Sequence, residues 1–317
     1  MHLSEKGSKS MLDFIAIPMG AILKYIYDNI AFQNYGIAII LFTVGIKSFM
    51  LPLIIKQVQS TSKMSELQPQ MQEIQKKYKD DKEKQSTELM KLYQENKVNP
   101  TGGCLPLLIQ IPILFSLYYV ISQPLKYMAG KSPEIIAQLY VLIPQGAEKI
   151  ANMKDLSIIA YFSDHSEQLQ AVLHLLKPED LLNMNFLGIN LGAVPAWNPG
   201  NYINSGTSIH SYFLLLIPLL SALTSYISVK YSMKDTPKAN VDRMQASIQN
   251  NLALISPIMS GVIAFTVPAG LGLYWIIGNI YQIVQQMFIN SFVLKKRTDR
   301  KKQTKNGNSE LGQTDTP

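Results

Sequence analysis

LALISPIMSGVIAFTVPAGLGLYWIIGNIYQIVQQMFINSF, residues 252–292, contains no Asp, Glu, Lys or Arg. A helix needs about 20 mostly apolar residues to cross a hydrocarbon core of about 30 Å, and this run is roughly twice that long. Pro268, Gly270 and Gly272 sit near its middle. Such a cluster marks a tight turn, so the run reads as two spans, 249–268 and 270–291. Three further apolar runs, Gly36–Ile55, Cys104–Ile121 and Tyr212–Val229, place spans at 34–55, 104–122 and 209–229. The total is five.

Charge placement agrees with that number. Nine lysines lie in 56–100, four basic residues in 230–248 and seven in the tail from Ser291, against five in 123–208 and three in 1–33. With five spans the three basic segments fall on one side, which the positive-inside rule makes the cytoplasm. A bacterial inner-membrane protein is expected, with its N-terminus outside and its C-terminus inside. The formal charge of +7 and pI near 9.2 therefore mark membrane orientation, and a specific nucleic-acid partner is not expected.

The remaining segments follow from pattern. Residues 1–33 read as an interfacial amphipathic helix, because Pro18, Gly20, Lys24 and Asp28 interrupt its short apolar run. In 56–100, Met64, Leu67, Met71, Ile74 and Tyr78 form one apolar stripe. Lys79–Lys84 supplies a turn, and Leu89, Leu92 and Tyr93 a facing stripe, which predicts a cytoplasmic helical hairpin; a solvated linker is the alternative. Segment 123–208 reads as an extracytoplasmic loop, 230–248 as a cytoplasmic loop and 292–317 as a basic, disordered tail. Cys104 is the sole cysteine, so no internal disulfide can form, and no cleavable signal peptide is visible.

Lys47 stands out within the first span. It lies about 12 Å from the cytoplasmic end at 1.5 Å per residue, and no span offers an acidic partner. A mid-membrane lysine costs about 2.5–3.5 kcal/mol on insertion scales and usually faces water or a partner. Snorkelling of the stem is the other reading. Polar stripes accompany it: Ser221, Thr224, Ser225 and Ser228 on the third span, and Trp275, Asn279, Gln282 and Gln286 on the fifth. Thr43 lies one turn before Lys47, and Gln110 sits in the second span. Helix–helix hydrogen bonding explains any one of these residues. Two aligned stripes with an unpaired cation point to a shared hydrophilic groove.

Catalytic signals are weak. There is no H-E-x-x-H, and His2, His165, His174 and His210 are scattered. Gly206–Ser208 begins like a nucleophile elbow, but His210 stands where glycine is needed. No catalytic residue, metal site or cofactor is expected.

Several stretches resemble the YidC-type membrane protein insertases. They are FIAIPMGAILKYIYDNIAFQNYGIAIILFT (Phe14–Thr43), MLPLIIKQ (Met50–Gln57), NPTGGCLPLLIQIPI (Asn99–Ile113) and FTVPAGLGLYWIIGNIYQIVQQ (Phe265–Gln286). The resemblance implies an all-α fold of five transmembrane helices around a hydrophilic groove. That groove opens to the cytoplasm and to lipid and is closed outside. It implies that Lys47 and Trp275 face the groove. Relatives mostly carry arginine at the position of Lys47; lysine keeps the charge without the planar fork. Nascent membrane proteins and the lipid bilayer are implied as partners, together with the Sec translocon, the ribosome and the signal recognition particle pathway. A small-solute transporter or channel is the alternative, which predicts internal repeats that the halves do not show. A structural assembly scaffold is the second alternative.

Overall fold

A computed structural model describes residues 2–98, 105–145, 150, 153–195, 210–234 and 255–294. Helices dominate, and the strands among the described residues form one two-stranded hairpin. Residues 235–248 of the expected cytoplasmic loop 230–248, and residues 295–317 of the expected tail 292–317, lie outside the described residues.

Helix α1, His2–Asn29, runs through Pro18. Ala16, Met19, Leu23 and Tyr27 recur at helical spacing and are buried on one face. Gly20 lies on that face against the Tyr127 backbone, where any Cβ would collide with the carbonyl. The opposite face leaves Phe14, Ile17 and Tyr25 exposed. Asn34 then caps α2, Tyr35–Glu66, by accepting a hydrogen bond from the Ile37 amide at 3.1 Å.

Among the described residues, α2 is the one helix both long and apolar enough to cross a bilayer. Its 32 residues span about 48 Å at 1.5 Å per residue, so it continues well past residue 55. It stops at Leu67, because Pro69 in the first turn of α3 (Gln68–Lys77) has no amide hydrogen to continue the ladder. The stripe read from Met64 to Tyr78 is therefore divided between two helices. Asp81 caps α4, Lys82–Glu95, by accepting from the Lys84 amide at 3.0 Å. Tyr93 Oη to Met71 Sδ at 3.7 Å and Gln85 Nε2 to the Gln75 carbonyl at 3.1 Å join α3 to α4.

Helix α5 is Leu105–Ser122, with Pro112 inside it. Segment 123–195 is folded: α6 (Pro124–Tyr127), α7 (Pro133–Val141), α8 (Lys154–Asp164) and α9 (Ser166–Ala171) precede a hairpin of β1, Asn185–Phe186, and β2, Ile189–Asn190. Its strands pair antiparallel with Asn185 opposite Asn190 and Phe186 opposite Ile189. The sequence predicts a loop over 123–208, so these internal elements are a finding of the structure. Ile136, Leu139, Leu156, Ile159, Phe162, Leu176 and Leu182 are buried within it.

The short α10, His210–Phe213, leads into α11, Leu216–Lys234. Helix α12, Ile255–Ala264, and α13, Ala269–Phe288, are separated by the turn at Pro268. Helix α13 lies at the centre, touching α2, α5 and α11. Every residue from Ala269 to Tyr274 is buried. Pro268 caps α13 without a side-chain hydrogen bond, so its first amides need other acceptors. The segment before α10 supplies them: the Ala193 carbonyl accepts from the Ala269 amide and the Leu191 carbonyl from the Gly270 amide, both at 2.8 Å.

Asp155 is a buried acid in segment 123–195, 3% exposed. It accepts from the Lys126 amide at 3.0 Å and so ties α8 to α6. Burial raises its carboxyl to about 6, against the opposing pull of the Lys126 and Leu125 amides. A carboxyl raised in the folded state stabilises most when protonated. That contribution is complete below the unfolded value of 3.8 and is lost as pH rises through about 6. Relative to wild type, Asp155→Asn should gain about 2 kcal/mol between pH 4 and pH 7, at 1.36 kcal/mol per unit. Thermal unfolding of both proteins at the two pH values measures the difference.

Candidate functional site

Helices α11 and α13 meet along a polar seam. Ser221, Ser225 and Ser228 are buried at helical spacing on α11. Ser221 Oγ donates to the Gly272 carbonyl at 3.4 Å. A Cβ at Gly272 would overlap the Ile217 side chain, so glycine there sets how closely the two backbones approach. One turn further, Asn279 Nδ2 donates to Thr224 Oγ1 at 3.1 Å, while Thr224 Oγ1 donates back to the Leu220 carbonyl at 2.7 Å.

Between α11, α12 and α13 lies a pocket of about 410 Å³. Ser225, Trp275 and Asn279 line it, joined from α12 by Ser256, Met259 and Ser260. The pocket thus combines an apolar wall of Ile255, Met259, Ile263 and Trp275 with three serine hydroxyls and one amide.

Lys47 lies on another side of α13. Its Cε is 3.7 Å from the position a Cβ would take on Gly278, so the missing side chain leaves room for the lysine stem. The lysine is half-buried, and among the described residues its ammonium forms no hydrogen bond or ion pair. Thr43 is fully buried and donates to the Ile39 carbonyl of its own helix at 2.6 Å. Ser48 Oγ and Tyr281 Oη are 3.0 Å apart, a second link between α2 and α13.

The ten residues singled out in the sequence are therefore distributed. Ser225, Trp275 and Asn279 share the pocket, with Thr224 bonded to Asn279. Ser221 and Ser228 are buried in α11. Gln110 Nε2 donates to Tyr274 Oη at 3.3 Å and links α5 to α13. Gln282 is exposed. Lys47 and Thr43 stand apart from the pocket, on α2.

The 60Kd inner membrane protein family model matches this chain over residues 25–297, most of its length. The chain belongs to that family. It is similar to a membrane protein insertase YidC of Clostridium perfringens, 33% identical over 272 residues, covering 86% of this chain and 85% of that protein. A membrane protein insertase YidC of Oceanobacillus iheyensis is 31% identical over 270 residues, covering 84% and 78%. A longer one from Syntrophobacter fumaroxidans is 32% identical over 277 residues; the match covers 87% of this chain and 38% of that protein.

In this member of the 60Kd inner membrane protein family, several residues at the site are not among those the sequence singles out. Tyr274, Gly278 and Tyr281 recur at helical spacing on α13 and meet Gln110, Lys47 and Ser48. Ser256 and Ser260 are four residues apart on α12 and both reach the pocket. That spacing is the signal the sequence offers in the span 249–268, where no polar stripe is read.

Proposed function

We propose that this chain is a membrane protein insertase that inserts nascent integral membrane proteins and helps them fold, with no covalent step. The observation that carries the activity is the similarity to insertases over more than four-fifths of the chain. Five helices, α2, α5, α11, α12 and α13, cross the bilayer in this reading, with the N-terminus outside and the basic segments cytoplasmic. Exposed apolar side chains on several helices, among them Phe49, Leu219, Ile258 and Val284, support a lipid-facing perimeter.

In this reading Lys47, Thr43, Gln110, Ser221, Thr224, Ser225, Ser228, Trp275, Asn279 and Gln282 supply the polar groups of a hydrated groove that opens to the cytoplasm and runs along and around α13. Polar segments of the substrate enter it while apolar segments slide into lipid beside it. Two features support this reading: the serine hydroxyls and the Asn279 amide that reach an otherwise apolar pocket between α11, α12 and α13, and the ammonium of Lys47, which has no partner among the described residues. Water replaces the missing anion, and a passing carboxylate pairs with the charge. The hairpin α3–α4 and the basic tail receive the ribosome, the signal recognition particle pathway or the Sec translocon.

Purified protein in liposomes tests the activity. A single-span substrate synthesised in the presence of these liposomes should gain a protease-protected fragment that empty liposomes do not give. Solute flux without insertion would replace this reading with a transporter.

A further inference from the structure

Two large apolar side chains project from the outer end of the molecule on backbone that such residues rarely adopt. Phe32 has φ 53° and is 90% exposed; Leu187 has φ 53° and is 84% exposed. The left-handed region favours glycine or asparagine, and strained residues persist where the surrounding structure holds them for a purpose. Leu187 and Gly188, the latter at φ 81°, are the two loop residues of the hairpin. This geometry normally selects Asn-Gly or Gly-Gly. A leucine there gains no contact inside the protein, because its side chain is outside it.

Both residues are tied to the first turn of α2. The Tyr35 amide donates to the Asn183 carbonyl at 3.2 Å, and Asn34 Nδ2 to the Asn185 carbonyl at 3.1 Å. The Phe186 ring lies against Gly36, where a Cβ would overlap it. The Asn183 amide donates to Tyr27 Oη of α1 at 2.8 Å. Leu187 follows Phe186 directly, and Phe32 precedes the cap Asn34 by two residues, so both stand beside the point where α2 begins. Residues 181–209 contain no Asp, Glu, Lys or Arg, so no charge next to the hairpin in the chain opposes contact with lipid.

We propose that Leu187 and Phe32 form a membrane anchor, seated in the outer-leaflet interface at the level where α2 enters the bilayer. This inference rests on the reading of α2 as a membrane-spanning helix. The occupant is the boundary between lipid headgroups and acyl chains, which suits exposed apolar side chains flanked by the uncharged amides of Asn183, Asn185 and Asn190. The anchor fixes the outer segment over α2 and α13, whose first amides the same stretch caps through Leu191 and Ala193.

Nitroxide depth measurement on the full chain tests it. In a Cys104→Ser background, Leu187→Cys, Phe32→Cys and Phe49→Cys are each spin-labelled and reconstituted into phosphatidylcholine–phosphatidylglycerol vesicles. Phe49, 86% exposed in mid-α2, reports the span itself. The labels at 187 and 32 should collide with oxygen several-fold more often than with a water-soluble nickel chelate, at a shallower depth than the label at 49. If the label at 187 favours nickel while that at 49 favours oxygen, the anchor is overturned and the span stands. If the label at 49 also favours nickel, the span reading and the anchor both fall. If neither reagent reaches position 187, a protein contact covers it and the lipid anchor is overturned.

Discussion

Lys47→Ala should lower insertion of a single-span substrate with an acidic translocated segment by about tenfold or more, and Lys47→Arg should restore it. A hydrogen bond to a charged group is worth about 1.5–3 kcal/mol, and 1.4 kcal/mol is a factor of ten in rate or equilibrium. The ammonium has no competing anion among the described residues, so its full charge is available to the carboxylate in transit. Arginine keeps the charge and adds the bidentate fork, so its activity should equal or exceed that of lysine. A substrate whose translocated segment lacks acidic residues should lose much less. Protease protection in proteoliposomes measures all three. Equal insertion of the acidic substrate by Lys47→Ala would remove the charge from the mechanism.

Gly272→Val should strongly destabilise the packing of α11 against α13. A Cβ at this position overlaps Ile217 Cγ2 on α11, and the branched side chain adds two more carbons. Overpacking of a close-packed interface typically costs about 1–3 kcal/mol and sometimes more. Here the displacement also stretches the Ser221–Gly272 and Thr224–Asn279 hydrogen bonds, because all of them join the same two helices. The thermal midpoint in detergent should fall by several degrees. Ile217→Ala should recover part of that loss in the double mutant, a coupling expected only of residues in contact. Gly278→Ala provides the contrast, since its Cβ would meet the Lys47 stem at an ordinary 3.7 Å.

Much of this architecture was legible in the residues. Long charge-free runs announced the helices, and Pro268 with its glycines announced the turn between α12 and α13. The serine stripe on α11 was legible because helical spacing alone places Ser221, Ser225 and Ser228 together. The end of α2 was not, because the stripe from Met64 to Tyr78 keeps its period across the break that Pro69 imposes. Contacts distant in sequence were the least legible. Asn34 meets Asn185, 151 residues away, through strands of only two residues that carry no alternation to read. The separation of Lys47 from the Trp275 pocket by α13 depends on how three helices turn relative to one another. Gly278 shows the same limit: a glycine in an apolar run acquires meaning only once the lysine stem beside it is known.

In the proposed mechanism, polar segments of a substrate pass through a hydrated groove at α13. A photo-crosslinking amino acid at position 279, in an otherwise unchanged chain, tests it most directly against a ribosome-bound substrate arrested with its translocated segment part-way across. Adducts should form with residues of that polar segment and fade as the chain is lengthened and released. Crosslinks at position 279 that reach only lipid or other helices of the insertase, at every arrest length, would contradict it.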